Sequence, residues 1–261
     1  MSYSSLSLRL AQTPADLEAI QRLRFDVFFT EFGAVAQSEM HALGLDSDRF
    51  DPYCQHLMVV DEGAGNKVVA TTRLMLSDQC PSDLGYIAQA EFDIALLQQF
   101  DSGCMEVGRS CVHKDYRDGN AIQLIWQGIT KFILDYDIKF LFGCASFHEV
   151  EPANIANELA YLHHNHLFEG GQGARSLEYI SMDLLPSEKV EPKAAMANLP
   201  PLIKAYLQIG GKIADGVALD PEFKTLDILI MVEVAKVPAS YQKYFRKMAD
   251  RISLSSTGGS N

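Results

Sequence analysis

The chain has 261 residues, of which 48% are hydrophobic, and it carries a formal net charge of −12 with a pI near 5.0. The apolar fraction is sufficient for a packed core, and the length fits one large domain or one domain with an appendage. Sequence-independent binding to nucleic acid or to anionic lipid needs clustered lysine and arginine, so the acidic charge argues against both.

Cysteine usage and hydropathy predict a cytoplasmic protein. The five cysteines are odd in number, scattered, and never spaced as Cys-x-x-Cys, which is typical of a reducing compartment. No apolar run approaches the roughly 18 residues that a transmembrane helix needs. The first residues lack the basic and apolar regions of a signal peptide.

Strands and helices alternate along most of the chain. Strands are predicted from alternating or continuous apolar runs, and helices from apolar residues at helical spacing or from Pro at a helix start. In chain order the predicted elements are a strand at Ser5–Ala11, a helix from Pro14 to about Phe29, a loop at 33–53, a hairpin of Gln55–Val60 and Lys67–Leu76, a loop at 77–103 with a helical piece near Ile94–Gln99, a β-rich run carrying Glu106 and Arg109, a helix after Asn120, a strand at Lys139–Phe147, a helix at Pro152–His164, a strand at Leu177–Leu184, a linker at Pro186–Pro201, a helix at Leu202–Ile209, a strand at Phe223–Val237 and a basic helix at Tyr241–Met248.

The stretch 104–128 is the most informative part of the sequence. A β-rich run leads into the polar loop Arg117-Asp118-Gly119-Asn120, and an amphipathic helix opens at once. Backbone N–H groups at such a helix start form a ready site for an anion. Glu106 and Arg109, just upstream, add a candidate base and a candidate clamp for a carboxylate.

The order of elements predicts an α/β fold with a mixed sheet, antiparallel early in the chain and parallel around the 104–147 crossover. The composition changes at residue 186, which divides a predicted core at 1–185 from a C-terminal extension at 186–252 that packs on it. The Ser- and Gly-rich residues 253–261 predict a disordered tail.

This order of elements, with a phosphate-binding loop after the fourth strand, resembles the GNAT acyltransferases. The resemblance implies a mixed, mostly antiparallel central sheet flanked by helices. The loop of that family reads Gln/Arg-x-x-Gly-x-Gly/Ala, and its nearest match here is a degraded form, Arg117-Asp118-Gly119-Asn120-Ala121.

A narrower resemblance rests on several motifs in a fixed order. The first motifs are similar to those of the acyl-homoserine-lactone synthases, which are GNAT relatives. With the two later motifs, the set most closely resembles the ornithine-lipid acyltransferases, also labelled hemolysin-like proteins, over about Leu6 to Leu184. In order the motifs are Arg24-Phe25-Asp26-Val27-Phe28, Asp48-x-x-Asp51, Arg73, Glu106-x-x-Arg109, Arg-Asp-Gly-x-x-Ile-Gln-Leu-x-Trp from Arg117, and Gly-Cys-x-Ser-Phe ending at Phe147.

This resemblance implies transfer of a 3-hydroxyacyl group from acyl carrier protein to the α-amino group of ornithine, giving lyso-ornithine lipid. It implies no tightly bound cofactor, because the donor is the phosphopantetheine thioester of the carrier protein, or acyl-CoA. The product is amphiphilic, so we also expect transient contact with the inner membrane.

Glu106 and Arg109 are the predicted catalytic residues. Amine acylation needs a base, and a partly buried glutamate with a raised pKa suits that role; the structural alternative is an ion pair between Glu106 and Arg109. In a regular strand these two side chains face opposite sides. Gly108 between them predicts a β-bulge that turns both toward one cleft.

The remaining candidate residues belong to the substrates. Arg73, like Arg109, fits a carboxylate clamp, or else orients Asp48, Asp51 or Glu106. We expect Asp48 to be structural and Asp51 to face the substrate, with Phe28 packing or lining an acyl tunnel. The predicted substrate-binding residues are Arg24, Phe28, Asp48, Asp51, Arg73, Ser146 and His148, and those predicted to bind the phosphopantetheine are Val112, His113, Arg117, Gly119 and Asn120.

Neither a metal site nor a covalent intermediate is predicted. No carboxylate or cysteine completes a zinc set with His163, His164 and His166. No base and orienting residue follow Ser110 and Cys111 to form a triad. Direct transfer is therefore expected.

Two other functions remain open. One is an acyl-homoserine-lactone synthase that uses S-adenosylmethionine, although residues 186–250 exceed what that enzyme requires. The other is a non-catalytic lipid- or carrier-binding protein of the hemolysin-like type, although no long amphipathic segment supports pore formation. The basic face of Lys243, Arg246 and Lys247 fits an acidic carrier protein, a membrane surface or plain solvation.

Overall fold

The computed structural model describes residues 5–35, 42–99, 103–168 and 174–249. The chain divides into two compact units. The first unit comprises Met1–Met75, Val107–Asp137 and Ala239–Asn261, and the second unit comprises Leu76–Glu106 and Ile138–Pro238. The predicted tail at 253–261 lies outside the described residues.

The described residues form strands and helices whose bounds are as follows. The strands are β1 (Leu6–Leu10), β2 (Gln55–Asp61), β3 (Lys67–Leu76), β4 (Phe92–Asp93), β5 (Cys104–Val112), β6 (Phe140–Phe147), β7 (Arg175–Ser176), β8 (Lys212–Ile213), β9 (Ala218–Asp220) and β10 (Thr225–Glu233). The α-helices are α1 (Pro14–Phe25), α2 (Asn120–Asp135), α3 (Ala156–His166), α4 (Pro192–Asn198), α5 (Pro201–Gln208) and α6 (Ala239–Ala249).

In the first unit the strands lie in the order β1, β2, β3 and β5. β2 pairs antiparallel with both β1 and β3, which confirms the predicted hairpin. The hairpin turns through Gly65 and Asn66, whose positive φ angles of 71° and 64° suit glycine and asparagine. Helix α2 packs against β1 and β2, and a Cβ atom at Gly128 would lie 2.6 Å from Leu57 Cδ1.

Strand β5 contains a bulge next to the predicted position. At one end Ser77 N–H donates to the Cys104 carbonyl oxygen, and at the other His113 N–H donates to that of Val69. From Val69 to Ser77 the chain moves eight residues, and from Cys104 to His113 on the facing strand it moves nine. The β5 side therefore holds one extra residue. The left-handed backbone angle lies on Arg109 (φ 50°) rather than on Gly108. The predicted bulge is present, but the strained residue is the arginine.

In the second unit the N-terminal part of β5 pairs parallel with β6, from Cys104 opposite Phe140 to Glu106 opposite Phe142. β6 pairs antiparallel with β10 over its full length, and β8 and β9 pair antiparallel with β10. β4 and β7 form a separate small sheet. Aromatic and aliphatic residues of these elements, among them Phe92 and Phe142, form the core of the unit.

Two predicted segments differ from the structure. Residues 177–184 contain bends and an isolated bridge between Ile180 and Val217 rather than a strand, and Leu177 and Tyr179 are exposed. The predicted linker at 186–201 contains α4, because Ala195 is fully buried and the Asn157 side chain bonds the backbone on both sides of Glu191. The composition of residues 186–201 alone does not indicate these tertiary contacts, so the helix was not predicted.

The first helix and the C-terminal segments also refine the predictions. α1 ends at Phe25 and continues as a π-helix at Asp26–Glu31. β10 belongs to the predicted extension yet pairs with β6. The predicted boundary after residue 185 falls inside the second unit, and the division into core and extension stays a prediction. Among the described residues, no helix has the length and apolar composition needed to cross a bilayer.

Gly211 tests the packing around β8. A Cβ atom at this position would lie 2.7 Å from the Tyr206 carbonyl oxygen and 3.1 Å from Ile230 Cγ2. A backbone oxygen cannot rotate away, so we expect Gly211→Ala to lower the free energy of unfolding by about 1–3 kcal/mol in a urea titration.

Gly108→Ala is the matched control, since its added Cβ would meet nothing closer than Arg73 Nε at 3.7 Å. A Gly211→Ala protein as stable as this control would contradict the described packing.

Candidate active site

A buried network of ion pairs joins α1, the loop before β2, and β3 in the first unit. Arg24 Nη1 and Arg73 Nη1 both donate to Asp51 Oδ1 at 2.8 Å, and Gln21 donates to Asp51 Oδ2 at 2.9 Å. Arg24 Nε also donates to Asp46 Oδ2 at 2.8 Å. The two arginine side chains are almost fully enclosed, so each needs these counter-charges inside the protein.

The charges within this network stabilise one another. Burial acts to raise the pKa of Asp51, but the guanidinium groups of Arg24 and Arg73 lower it to about 2. Burial likewise opposes ionisation of Arg24, yet Asp46 and Asp51 raise its pKa overall. Asp51 therefore stays negative and Arg24 positive at neutral pH.

Arg109 and Asp48 form the more accessible part of the network. Arg109 Nε lies 3.1 Å from Asp46 Oδ2, and its guanidinium stands 5.9 Å from the centre of the Phe28 ring. Asp48 bonds Arg73 at 2.7 Å. The Asp48 side chain is 24% exposed and that of Asp51 is 3% exposed. This difference favours the reverse of our expectation, with Asp51 as the structural residue.

Sequence reasoning missed Asp46, Gln21 and His56 as members of this network. Asp46 was detectable, because it extends Asp48-x-x-Asp51 to Asp-x-Asp-x-x-Asp. Gln21 precedes Arg24 by nearly one helical turn. His56 Nε2 lies 3.0 Å from the Asp51 carbonyl oxygen. A single histidine within an apolar strand does not indicate from sequence which residue it contacts.

Glu106 lies in the second unit and is 3% exposed. Its two carboxylate oxygens accept hydrogen bonds from the backbone N–H groups of Ile87 (2.8 Å) and Ala88 (2.7 Å). These donors stand at the start of a short 3₁₀ helix, Ile87–Ala90. They hold the carboxylate in place and stabilise its negative charge. Backbone donors carry no side-chain signature, so the sequence did not reveal them.

The loop after β5 places the predicted phosphate-binding residues at the start of α2. Gly119 adopts φ 100° at the N-cap of the helix, and Asn120 N–H donates to Asp118. Arg117 forms two hydrogen bonds with Glu31, at 2.6 and 2.8 Å, and a third to the Val112 carbonyl oxygen. The Arg117–Glu31 pair is partly exposed, so an incoming anion can compete for the arginine at low cost.

Three further predicted site residues lie at the ends of two strands. His113 follows β5, whereas Ser146 and His148 lie at the end of β6. His113 caps a 3₁₀ turn and stands 3.0 Å from Lys67 Nζ; burial and the positive lysine lower its pKa. Ser146 lies opposite Asp227 in the β6–β10 pair of the second unit. His148 follows β6 and is exposed.

Two further groups of side chains in the second unit were not assembled from the sequence. The ligand atoms of His163, His164 and Asp183 lie within 4.8 Å of one another, so the structure supplies a carboxylate that the sequence analysis did not find. His164 Nε2 is also 2.8 Å from the Leu185 carbonyl oxygen. The expected absence of a metal stays a prediction. The other group comprises the carboxylates of Glu91, Asp220 and Asp227.

Known proteins resemble this chain in sequence and in fold. The Acetyltransferase (GNAT) domain family matches residues 23–127. An L-ornithine N(alpha)-acyltransferase of Rhizobium meliloti is 38% identical, over 96% of this chain and 87% of its own length. A protein of the same name from Brucella abortus is 37% identical, over 95% of this chain and 91% of its own length. The chain belongs to the L-ornithine N(alpha)-acyltransferase family.

Solved structures support the same fold. FeeM, an N-acyl amino acid synthase from uncultured soil microbes, matches with a TM-score of 0.52 and 9% identity, over 88% of this chain and 92% of its own. BjaI, a CoA-dependent acyl-homoserine lactone synthase, matches with a TM-score of 0.53 and 15% identity, over 95% and 92%. The predictions of an acyltransferase and of a GNAT fold are confirmed.

The side chains next to Arg109 do not suit a covalent acyl-enzyme in this acyltransferase. Burial raises the pKa of Cys111 to about 12, so its thiol stays protonated at neutral pH. Ser110 Oγ is hydrogen-bonded to Thr72 Oγ1 at 2.7 Å, and threonine is not a base. Both observations favour direct transfer.

Asp51→Asn tests the buried network. The change leaves Arg24 and Arg73 without their shared counter-charge, so we expect a loss of about 3–5 kcal/mol in the free energy of unfolding at pH 7. Glu18→Gln is the control, because the Glu18–Arg22 pair is exposed and such pairs contribute about 0–1 kcal/mol. Urea denaturation of both variants measures the difference.

The same variant changes the acid dependence of stability. The pKa of Asp51 is about 2 when folded, against an ordinary value of 3.8. A carboxyl group with a depressed pKa stabilises the folded state above its unfolded pKa, and this contribution is lost as the pH falls toward the folded pKa. Between about pH 4 and pH 2, the unmodified protein should therefore lose stability more steeply than Asp51→Asn. Parallel curves would contradict the assignment.

Proposed function

We propose that this acyltransferase moves a 3-hydroxyacyl chain from acyl carrier protein to the α-amino group of L-ornithine, giving lyso-ornithine lipid. The observation that carries the proposal is an identity of 34–38% over 94–96% of the chain with four relatives named L-ornithine N(alpha)-acyltransferase. Such coverage includes both units, so it extends beyond the matched GNAT domain.

In the proposed reaction Glu106 assists loss of a proton from the α-ammonium group, directly or through water. The free amine attacks the thioester carbonyl carbon, the carbon–sulfur bond breaks, and the thiol of the carrier leaves with a proton. The two backbone N–H groups hold the Glu106 carboxylate in one position, as a general base requires. Because the same donors stabilise the carboxylate and weaken it as a base, proton transfer uses a remaining lone pair on one of its oxygens.

Arg109 is the better of the two candidates for binding the substrate carboxylate. Arg73 is buried and bonded to Asp48 and Asp51, which supports an orienting role. The Arg109 side chain is partly exposed, and its planar guanidinium fits a carboxylate. Its left-handed backbone angle also supports a functional role, since such strain concentrates at active sites.

For the donor, we propose that Arg117, Gly119 and Asn120 bind the phosphate of phosphopantetheine, with Val112 and His113 beside it. The start of α2 supports this assignment. Helix α6 carries exposed Lys243, Arg246 and Lys247, which favour docking of an acidic carrier protein. We propose that the enzyme is cytoplasmic and contacts the inner membrane transiently, because its proposed product is amphiphilic and would partition into the bilayer.

A reconstituted assay tests the proposed function. The protein is incubated with 3-hydroxyacyl carrier protein, or with the matching acyl-CoA, and separately with ornithine, glycine, lysine or S-adenosylmethionine. Free thiol and lipid product are followed. We expect ornithine and the carrier protein to give the highest kcat/KM. No turnover with any acceptor would refute the enzyme, and lactone from S-adenosylmethionine would reassign it to the homoserine-lactone synthases.

Glu106→Gln tests the proposed base in this assay. Loss of a general base typically lowers the rate about 10²- to 10⁴-fold, and we expect a loss in kcat of that size. Glutamine leaves one of the two backbone donors unpaired, so the thermal midpoint should also fall, and kcat is compared at a temperature where the variant stays folded. Glu188→Gln is the control for the charge change, because Glu188 is exposed. Full activity of Glu106→Gln at its optimal pH would show that Glu106 is not the base.

A further inference from the structure

Three carboxylates from distant parts of the chain meet in the second unit. Glu91 precedes β4, Asp220 ends β9, and Asp227 lies in β10. One oxygen atom from each lies within 4.8 Å of the others. Asp227 is 7% exposed, whereas Glu91 and Asp220 are half-buried. The group is therefore built into the sheet and can still be reached by a ligand.

The strand register explains why these side chains share one face. Asp220 lies opposite Thr225 in the β9–β10 pair, and directly opposed side chains point to the same face. Asp227 is two residues after Thr225, so it points to that face as well. Ser146 lies opposite Asp227 across the β6–β10 pair. The register thus places two carboxylates and two hydroxyl groups together.

Thr225 provides an independent sign of a ligand. Its side chain is 2% exposed, and its Oγ1 has no hydrogen-bond partner within the part of the chain that the structure describes. Leaving a buried hydroxyl unpaired costs about 1–3 kcal/mol. The group stands beside Asp220 and Asp227 on the same face, where a bound donor would satisfy it.

Negative charges also surround the neighbouring Cys144. Burial raises the pKa of Cys144 well above its ordinary value, and the negative charges of Glu91, Asp227 and Glu106 raise it further. Carboxylates this close repel one another in a partly desolvated site. A bound cation would offset that repulsion.

We propose that Glu91, Asp220 and Asp227 bind the side-chain ammonium group of the amino-acid acceptor, with Thr225 Oγ1 as a further hydrogen-bond acceptor. This inference rests on the proposed function and adds to it the basis of selection for a diamino acid. An ammonium group carries three N–H donors. Asp220 Oδ1 already accepts from the backbone N–H groups of Glu222 and Phe223, so these donors are shared among the other carboxylate oxygens and Thr225 Oγ1. Calcium and magnesium also take oxygen ligands, so a metal ion is the competing occupant, and the test with Mg²⁺ and EDTA distinguishes it.

The arrangement predicts how the acceptor is chosen. A site built of buried acceptors rejects an analogue that lacks the donor, because its polar groups are then left unpaired. Norvaline is ornithine without the δ-ammonium group, so it isolates this contact. The α-amino group, which reacts, is the same in both acceptors.

The test compares ornithine with norvaline in the protein and in Glu91→Gln, with Glu178→Gln as an exposed control in the same unit. Loss of one hydrogen bond to a charged group should raise the KM for ornithine about 10- to 100-fold. The kcat/KM for norvaline should stay within about two-fold, because norvaline does not use the site. Asp227→Asn, checked for an unchanged thermal midpoint, should behave in the same way.

Each other outcome has its own meaning. An unchanged KM for ornithine in Glu91→Gln, or equal losses with both acceptors, would overturn the inference while leaving the proposed function intact. Equal use of ornithine and norvaline by the unmodified protein would also overturn it. If KM depended on added Mg²⁺ and was changed by EDTA, the group would be a metal site instead.

Failure of the proposed function would give no turnover with any acceptor. In that case calorimetric titration with ornithine and norvaline still tests the carboxylates. Tighter binding of ornithine that weakens about 10- to 100-fold in Glu91→Gln would support the inference. Equal binding of both amino acids would refute it.

Discussion

The pairing of buried charge is the constraint on which the first unit depends. Arg24 and Arg73 are enclosed in the interior, where an isolated ion is very costly, and Asp51 accepts from both. Replacing such a network with apolar residues is often neutral, whereas removing one member is strongly destabilising. We therefore ascribe to these ion pairs a positional role rather than a large net stabilisation. They tie the loop before β2 to α1 and β3, and they place Asp46 and Asp48 beside Arg109.

That placement accounts for the strained backbone of β5. A non-glycine residue at φ 50° costs about 1–2 kcal/mol, and Arg109 adopts this angle within a strand. Its contacts with Asp46 and the Phe28 ring help to offset the cost. The bulge changes the direction of the side chains that follow it in β5. Arg109 therefore points in a different direction from the one that a regular strand through Glu106 would give it. In the second unit Glu91, Asp220 and Asp227 instead bring like charges together, and this grouping is the basis of the proposed ammonium site.

Local patterns predicted the parts of the fold that local forces determine. The apolar runs predicted β2, β3 and β6, and the helical repeat predicted α2. The predicted strand at Leu177–Leu184 was wrong because only isolated apolar residues such as Met182 are buried while Leu177 and Tyr179 are exposed, and α4 was missed because its helix depends on the buried contact of Ala195. Among the site residues, the structure places Arg24, Asp48, Asp51, Arg73 and Arg109 in one network, whereas their roles with substrates stay predictions. Sequence could not show the backbone donors of Ile87 and Ala88, nor the approach of Glu91 to Asp220 and Asp227, because Glu91 lies 129 residues before Asp220 and only tertiary contacts join them.

In the proposed reaction the α-amino group of ornithine is acylated while the three carboxylates hold the other amino group. The most direct measurement uses ornithine labelled with nitrogen-15 at the α position and determines by nuclear magnetic resonance which nitrogen of the purified product forms the amide. We expect an amide proton coupled to the labelled nitrogen and a free δ-ammonium group. A product acylated on the unlabelled δ nitrogen would contradict both the proposed reaction and the role of the three carboxylates.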